Sequence, residues 1–211
     1  MRGRFISFEG IEGSGKSTQV GRLLPILQQQ GLAVVRTHEP GGGLGEEMRD
    51  YVLLKANLHP PSEAFFMAMD RHEHMTKTIR PALERGQWVL CDRFADSTLA
   101  YQGGGSGVER EALKVLNRLA TGGLTPDLTL LFDLPVELGL ERVKKRAPHR
   151  KLDRFEAESL AFHERVRAAY LELARAEPER FAVIDAARDA NLVFADTRSR
   201  VEALLARPAA P

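Results

Sequence analysis

The chain has 211 residues, of which 43% are hydrophobic and 28% charged, a composition that excludes disordered and fibrous proteins. Lys and Arg number 30 against 29 Asp and Glu, so the net charge of +1 argues against a general binder of nucleic acid or anionic membranes. Cys91 is the only cysteine, which excludes an intrachain disulfide and a cysteine metal cage. With no signal peptide and no run of 18 apolar residues, we expect a cytoplasmic protein.

Short apolar segments alternate along the chain with longer amphipathic ones. The short segments predict buried strands at 5–8, 33–35, 88–91, 128–132 and 181–184. The long segments predict helices near 16–30, 62–85, 109–120, 136–146 and 155–177. This alternation predicts an α/β fold in which a five-stranded parallel sheet is flanked by helices. We expect one domain over 1–205 and a frayed tail at 206–211.

Three loops differ in composition from the rest. Residues 39–43 (EPGGG) and 102–107 (QGGGSG) are rich in glycine and are either flexible turns or ligand loops. Residues 141–154 hold seven Lys and Arg against two acids, and Pro148 and His149 interrupt the helical pattern. This cationic segment is therefore either a solvated helix face or a short mobile lid that closes over an anion.

Residues 10–17, GIEGSGKS, match the phosphate-loop pattern G-x-x-x-x-G-K-[ST] between a predicted strand and a predicted helix. Glycine lets successive backbone N–H groups turn towards phosphate oxygens, and the helix N-terminus adds a positive dipole. Lys16 is expected to reach the β- and γ-phosphates, and the Ser17 hydroxyl to bind Mg²⁺. The predicted nucleotide-binding residues are Gly10, Ile11, Glu12, Gly13, Ser14, Gly15, Lys16, Ser17 and Thr18.

Asp92 and Arg93 end the third predicted strand, at the sheet edge where α/β proteins bind ligands. Asp92 is a candidate Mg²⁺ ligand, together with Ser17. Arg93 is placed to neutralise charge on the transferred phosphoryl group. A strand-end salt bridge is the alternative interpretation of this pair.

The motifs together resemble the bacterial form of the thymidylate kinase family over most of the chain. The resemblance rests on the phosphate loop, EPGG at 39–42, Arg71, DRF at 92–94, STLAYQGGG at 97–105 and LDRFE at 152–156. It implies a P-loop NTPase fold, ATP as phosphoryl donor, Mg²⁺ and a homodimer. It also implies transfer of the γ-phosphoryl group of ATP to dTMP, which gives dTDP and ADP for dTTP synthesis.

The resemblance assigns the acceptor site residue by residue. Arg71 corresponds to an arginine that meets O4 of the thymine, while Thr98 and Gln102 correspond to side chains near its N3–H edge. Tyr101 corresponds to a ring that packs on C2′ of the sugar. The remaining implied acceptor residues are Glu39 and Pro40 of the second-strand loop and the phosphate-binding arginines Arg49 and Arg93.

The family usually has an aromatic ring four residues before the Arg71 position, and this chain has Met67 there. Met67 and Arg71 share a helix face, whereas the neighbouring Phe66 points about 100° away. Met67 or Phe66 therefore forms the base platform. Phe65, Phe66 and Met69 are otherwise expected to be helix core.

The resemblance also implies a catalytic role for Glu12, near the junction of donor and acceptor, and for lid arginines. Arg146, Arg150 and Arg154 are the candidates for contact with the phosphates, and Arg142 for stacking on adenine. His72 and His74 point to different sides of their helix and are expected to be solvated or partly buried.

The acceptor phosphate is mostly ionised at neutral pH, so the reaction needs charge neutralisation and alignment rather than a general base. Two alternatives stay open at this stage. A deoxynucleoside kinase would use Glu39 or Glu12 as a base towards a sugar hydroxyl. A P-loop ATPase or nucleotide switch would instead act on a protein partner.

Overall fold

The computed structural model describes residues 2–146 and 152–207, and within them five parallel strands form one sheet. The strands are β1 (Phe5–Glu9), β2 (Val34–His38), β3 (Trp88–Asp92), β4 (Leu128–Asp133) and β5 (Phe181–Asp185). Their spatial order is β2-β3-β1-β4-β5, so the chain crosses the sheet through helices on both faces. This sheet confirms the predicted α/β architecture.

The central strand β1 is buried along its whole length, and three of its five residues are apolar. It pairs with β3 on one side and β4 on the other, with Phe8 opposite Asp92 and Leu130. The carboxyl ends of β1 and β3 therefore lie side by side. The strands that follow β1 in sequence lie first on its β3 side and later on its β4 side, so the strand order changes direction at β1. Open α/β folds bind ligands at such a point.

Helical segments cover both faces of the sheet in the described residues. The α-helices are α1 (Lys16–Gln29), α2 (Glu46–Asp50), α3 (Pro60–His74), α4 (Arg80–Glu84), α5 (Ala95–Thr98), α6 (Arg110–Thr121), α7 (Val136–Arg146), α8 (Leu160–Ala176) and α9 (Ala190–Leu205). π-Helical turns continue α2, α3 and α5 at Tyr51–Lys55, Met75–Ile79 and Leu99–Gly105. None of the helices in the described part of the chain is long and apolar enough to cross a membrane.

Cys91 lies on β3 in the smaller of two apolar clusters, between the sheet and the segment that runs from Met75 to Leu83. Its side chain is fully buried, and its thiol donates to the carbonyl of Arg93 at 3.0 Å. Burial and the nearby carboxylates raise the pKa of the thiol well above its usual value. The cysteine is therefore a core residue.

The prediction of a loop at 102–107 is wrong for its first residues, because the glycines belong to the π-helical turn Leu99–Gly105. A Cβ on Gly104 would lie 2.5 Å from the Cβ of Ala169, and one on Gly105 would lie 2.6 Å from the ring of Phe162. Glycine is needed here because α8 packs directly against this backbone.

Two helix predictions also change. The helix predicted over 155–177 begins only at Leu160, because the hydroxyl of Ser159 accepts the N–H of Phe162 and caps it there. The segments Glu46–Lys55 and Ala190–Leu205 were not predicted, and both are helical. Pro148, His149 and the last four residues of the predicted tail lie outside the described residues.

The prediction that Phe65 and Met69 are helix core is wrong. Their side chains are 64% and 49% exposed, and Phe66 alone of the three packs against the core. The prediction for His74 is also wrong, because its side chain is completely buried. Since α3 packs against α6 and the π-helical turn Leu99–Gly105, the face that carries Phe65 and Met69 is the one left outward.

Candidate active site

The phosphate loop joins β1 to α1 at the centre of the sheet edge. Its backbone has positive φ at Gly10, Gly13 and Gly15, and a Cβ on Gly13 would lie 2.1 Å from the carbonyl oxygen of Gly139. The Lys16 ammonium is buried and donates to the carbonyls of Gly10 and Ile11, both at 2.9 Å. Burial and the charge of Arg93 lower the pKa of Lys16 to about 8.

Ser17 and Asp92 bring two oxygen donors together where α1 begins and β3 ends. The Ser17 hydroxyl donates to Asp92 Oδ2 at 2.5 Å. Hydroxyl and carboxylate oxygens are the ligands that Mg²⁺ prefers. No cluster of three or more metal-ligating side chains occurs in the described ranges, so any ion here takes its other ligands from water and phosphate.

Arg93 follows β3 with a left-handed backbone, φ 70°, which a non-glycine residue adopts at a cost of about 1–3 kcal/mol. This turn aims the guanidinium back at the phosphate loop. Nη2 donates to Glu12 Oε1 at 2.7 Å and to the Tyr101 hydroxyl at 2.9 Å. Nη1 reaches the hydroxyls of Ser97 and Tyr170 at 3.3 Å.

Glu9, the last residue of β1, holds the segment that follows Arg93. Its carboxylate accepts the N–H of Phe94 at 2.8 Å and the hydroxyls of Ser97 at 2.6 Å and Tyr170 at 2.9 Å. Burial, with Asp96 as a second cause, raises the pKa of Glu9 to about 7. Glu9 and Tyr170 were not predicted as site residues, although Glu9 directly precedes the phosphate loop.

Glu12 lies between the phosphate loop and Arg93. Both of its carboxylate oxygens are 2.7 Å from the Tyr101 hydroxyl. Burial raises the pKa of Glu12, but Arg93, Lys16 and the bond from Tyr101 outweigh burial and hold it below the usual value. Glu12 is therefore an anion held between Arg93, Lys16 and Tyr101.

Arg71 is buried further along the cleft, where its guanidinium makes four hydrogen bonds and an ion pair with Glu39. Nε and Nη2 contact Glu39 Oε2 at 2.8 Å, and Nη2 also reaches the carbonyl of Phe94 at 3.2 Å. Nη1 donates to Thr98 Oγ1 at 3.1 Å and Asn117 Oδ1 at 2.8 Å. A ligand contact from Arg71 therefore requires the exchange of one of these bonds.

Glu39 is also fully engaged, because its other oxygen is 3.0 Å from Nδ1 of His74. The next residue, Pro40, follows a cis peptide bond and accepts a hydrogen bond from Arg49 Nη1 at 2.7 Å. The glycine-rich loop is held in place, since Asp70 accepts the N–H groups of residues 41, 43 and 44 at 2.7–3.1 Å. The alternative of a flexible turn at 39–43 therefore does not describe this loop.

One cavity of about 530 Å³ runs along these groups, a size that suits a nucleotide-sized ligand. The predicted site residues that line it are Glu12, Gly13, Lys16, Ser17, Glu39, Pro40, Arg49, Met67, Arg71, Asp92, Arg93, Thr98, Tyr101, Gln102 and Arg146. Gln102 donates to the buried Glu63 at 2.7 Å. Phe66 does not line the cavity, so Met67 is the only one of the two platform candidates that faces it.

The arginines predicted to belong to the lid have different surroundings in the structure. Arg146, at the end of α7, lines the cavity and pairs with Glu156 at 3.2 Å. Arg142 does not line the cavity and donates to the carbonyls of Ala186 and Ala187 at 2.8 and 3.3 Å. Arg154 forms an ion pair with Glu63 and does not line the cavity. Arg150 lies outside the described residues.

Comparison with known proteins gives one consistent result. The family model for thymidylate kinase matches residues 8–197. The thymidylate kinase of Desulfovibrio desulfuricans is 52% identical over 210 residues, covering 96% of this chain and 97% of the relative. That of Cupriavidus necator is 50% identical and covers 98% and 99%. The crystal structure of thymidylate kinase from Ehrlichia chaffeensis is similar with a TM-score of 0.77 and 33% identity, covering 96% of this chain and 99% of that one.

Proposed function

This chain belongs to the thymidylate kinase family, and on that premise we propose how its residues divide the work. The protein is an ATP-dependent kinase that phosphorylates dTMP to dTDP. The observation that supports the assignment of roles is that one cavity is lined both by Lys16 and Ser17 and by Arg71, Thr98 and Gln102. The first group would receive the donor phosphates and the second the acceptor nucleotide.

We propose that transfer depends on bringing two anions together rather than on a general base. The dTMP phosphate has a second pKa near 6, so its attacking oxygen is ionised at neutral pH. Arg93 and Arg49 hold this phosphate, and Lys16 neutralises the charge that develops on the transferred group. Glu39 accepts bonds from Arg71 and His74 and is only 5% exposed, so it is not available as the base of a nucleoside kinase.

The acceptor nucleoside would lie between Tyr101 and Met67. Tyr101 is fixed edge-on to the rings of Phe155 and Tyr170, so its own ring forms a rigid wall for the sugar. Thr98 and Gln102 face the Watson–Crick edge of the base. Arg71 both positions Thr98 and, by giving up one of its present bonds, donates to the thymine O4.

Ser17 and Asp92 are the residues that would hold Mg²⁺. Both are hard oxygen donors, and their contact at 2.5 Å leaves the remaining ligand positions to water and ATP. When bound, the ion supplies a positive charge that screens the β- and γ-phosphates. Asp92→Asn should therefore raise the Mg²⁺ concentration needed for half-maximal activity.

The described part of the segment at 141–154 suits a role on the donor side. Arg146 is 65% exposed at the end of α7, and Arg142 contacts the loop between β5 and α9. We propose that Arg146 contacts the donor phosphates when the segment acts as a lid, and that Arg142 borders the adenine.

We propose that a single catalytic domain covers residues 1–205. Because ATP and dTMP are small cellular nucleotides, we place the enzyme in the cytoplasm, which cell fractionation tests.

The decisive experiment is an ADP-release assay with several acceptors. Turnover should occur with ATP and dTMP, and thymidine should give less than about one hundredth of that rate. Preferred turnover of thymidine would favour a deoxynucleoside kinase. ADP release without any acceptor would favour an ATPase or a nucleotide switch.

We also propose a homodimer, formed through an exposed apolar face on α3 and α6. Phe65 and Met69 on α3 and Val115 and Leu119 on α6 are 49–70% exposed, on two helices that pack together. A second copy of the same face would cover these side chains. Leu119→Glu should give a monomer in sedimentation, whereas Leu192→Glu, at an exposed site on α9, should leave the dimer intact.

A further inference from the structure

His163, on the first turn of α8, lies beside the carboxylate of Glu12 and is completely buried. Its Nδ1 is 3.5 Å from Glu12 Oε2, which is too far for a hydrogen bond. Neither ring nitrogen has a hydrogen-bond partner among the described residues. The ring of Phe162 packs edge-on against it at 5.6 Å and 90°.

A buried imidazole whose two ring nitrogens lack hydrogen-bond partners is unfavourable for folding. Buried polar atoms are nearly always hydrogen-bonded, and a leucine of similar size would fill the space without an unmatched donor. The presence of such a polar side chain is accounted for if it forms its hydrogen bond in another state of the protein, such as the ligand-bound state. The nearest candidate partner of His163 is Glu12.

The role proposed above for Arg93 would change the partners of Glu12 when the acceptor binds. In this structure Arg93 Nη2 and the Tyr101 hydroxyl both donate to Glu12 at 2.7 Å. Arg93 is also the group proposed above to hold the acceptor phosphate. When its guanidinium turns to that phosphate, Glu12 loses a cation in a buried site where an unmatched carboxylate is strongly disfavoured.

We propose that His163 is a positioning residue that donates its Nδ1–H to Glu12 once Arg93 engages the phosphate of dTMP. The proposal rests on the proposed function, through the role given to Arg93. Closing the gap from 3.5 Å to a normal hydrogen bond requires a shift of about 0.5–0.7 Å, within the range of a side-chain adjustment. Glu12 then stays beside Lys16 while Arg93 binds the phosphate of the acceptor.

The test compares two substitutions at this position. His163→Leu removes the donor and should lower kcat/KM for dTMP about tenfold or more, with KM for ATP and the thermal midpoint unchanged or the midpoint raised. His163→Asn places an amide N–H near the position of Nδ1 and should restore most of the activity. His59→Leu, which changes an exposed histidine, should behave as the wild type.

A spectroscopic readout follows the bond itself. In protein labelled with ¹⁵N-histidine, saturating dTMP should shift the ring nitrogens of His163, and Arg93→Gln should abolish that shift.

Wild-type kcat/KM for dTMP in His163→Leu, or equal loss in His163→Leu and His163→Asn, would overturn the positioning role. A wild-type enzyme that does not turn over dTMP would instead overturn the proposed function.

Discussion

Arg93 and Arg146 line the same cavity, yet they are held in different ways. Arg93 is 18% exposed and reaches four side chains within 3.3 Å, whereas Arg146 is 65% exposed and pairs with Glu156 at 3.2 Å. The surroundings of Arg93 are therefore organised before ligand arrives, which lowers the reorganisation needed in the transition state. Arg146 is by contrast a water-exposed cation, and its electrostatic interactions strengthen only when water is excluded.

Substitution of these two arginines is the strongest test of the contrast. Arg93→Gln removes the guanidinium that pairs with Glu12 at 2.7 Å and should cost about 3–5 kcal/mol of folding stability as well as most of the activity. Arg146→Gln should reduce kcat with less than about 0.5 kcal/mol of stability lost. Urea unfolding and initial rates measure the two quantities, and equal stability losses would remove the distinction.

Lys16→Ala should lower kcat by about 10²- to 10³-fold, because it removes the charge proposed to neutralise the transferred phosphoryl group. The fold should persist, since the loop conformation is set by its glycines. Lys114→Ala, an exposed lysine on α6, is the matched control. Near-normal turnover of Lys16→Ala would contradict the assignment of the phosphate loop.

Glu9 gives the hydrogen-bond network around Arg93 a pH dependence. Its pKa is about 7 in the folded protein and near 4.5 when unfolded, so the folded state binds the proton more tightly. Stability should therefore fall as pH rises from about 4.5 to 7 and then level off. Glu9→Gln should remove on the order of 1–3 kcal/mol of this fall, measured as the free energy of unfolding at several pH values. An unchanged slope would show that Glu9 is not the group that titrates.

The smallest effect concerns the sugar. Tyr101 is packed so tightly that an added ribose 2′-hydroxyl would be buried without a partner, so dTMP should be preferred to its ribose analogue by about tenfold. Tyr101→Ala should reduce this preference in kcat/KM. If discrimination is the same in both proteins, another residue sets the selectivity.

The sequence predicted the strands and the phosphate loop because their patterns are local. The apolar run of β1 and the GIEGSGKS loop need no knowledge of distant residues. What the sequence could not predict depends on contacts between distant segments. Tyr170 reaches Glu9 across 161 positions, and Asn117 reaches Arg71 across 46. Likewise, the glycines at 103–105 predict a loop from sequence, and only the packing of α8 against them shows why glycine is required there.

The burial of Cys91 provides a reporter that needs no engineering. Its thiol lies near the carboxyl end of β3, is fully buried and donates to the carbonyl of Arg93, so a thiol reagent can reach it only after the sheet opens beside the active site. Under conditions where reclosing is fast, the labelling rate measures the population of that open form. A nucleotide that binds the folded state lowers this population, so protection of a single sulfur atom would measure ligand affinity in the absence of turnover.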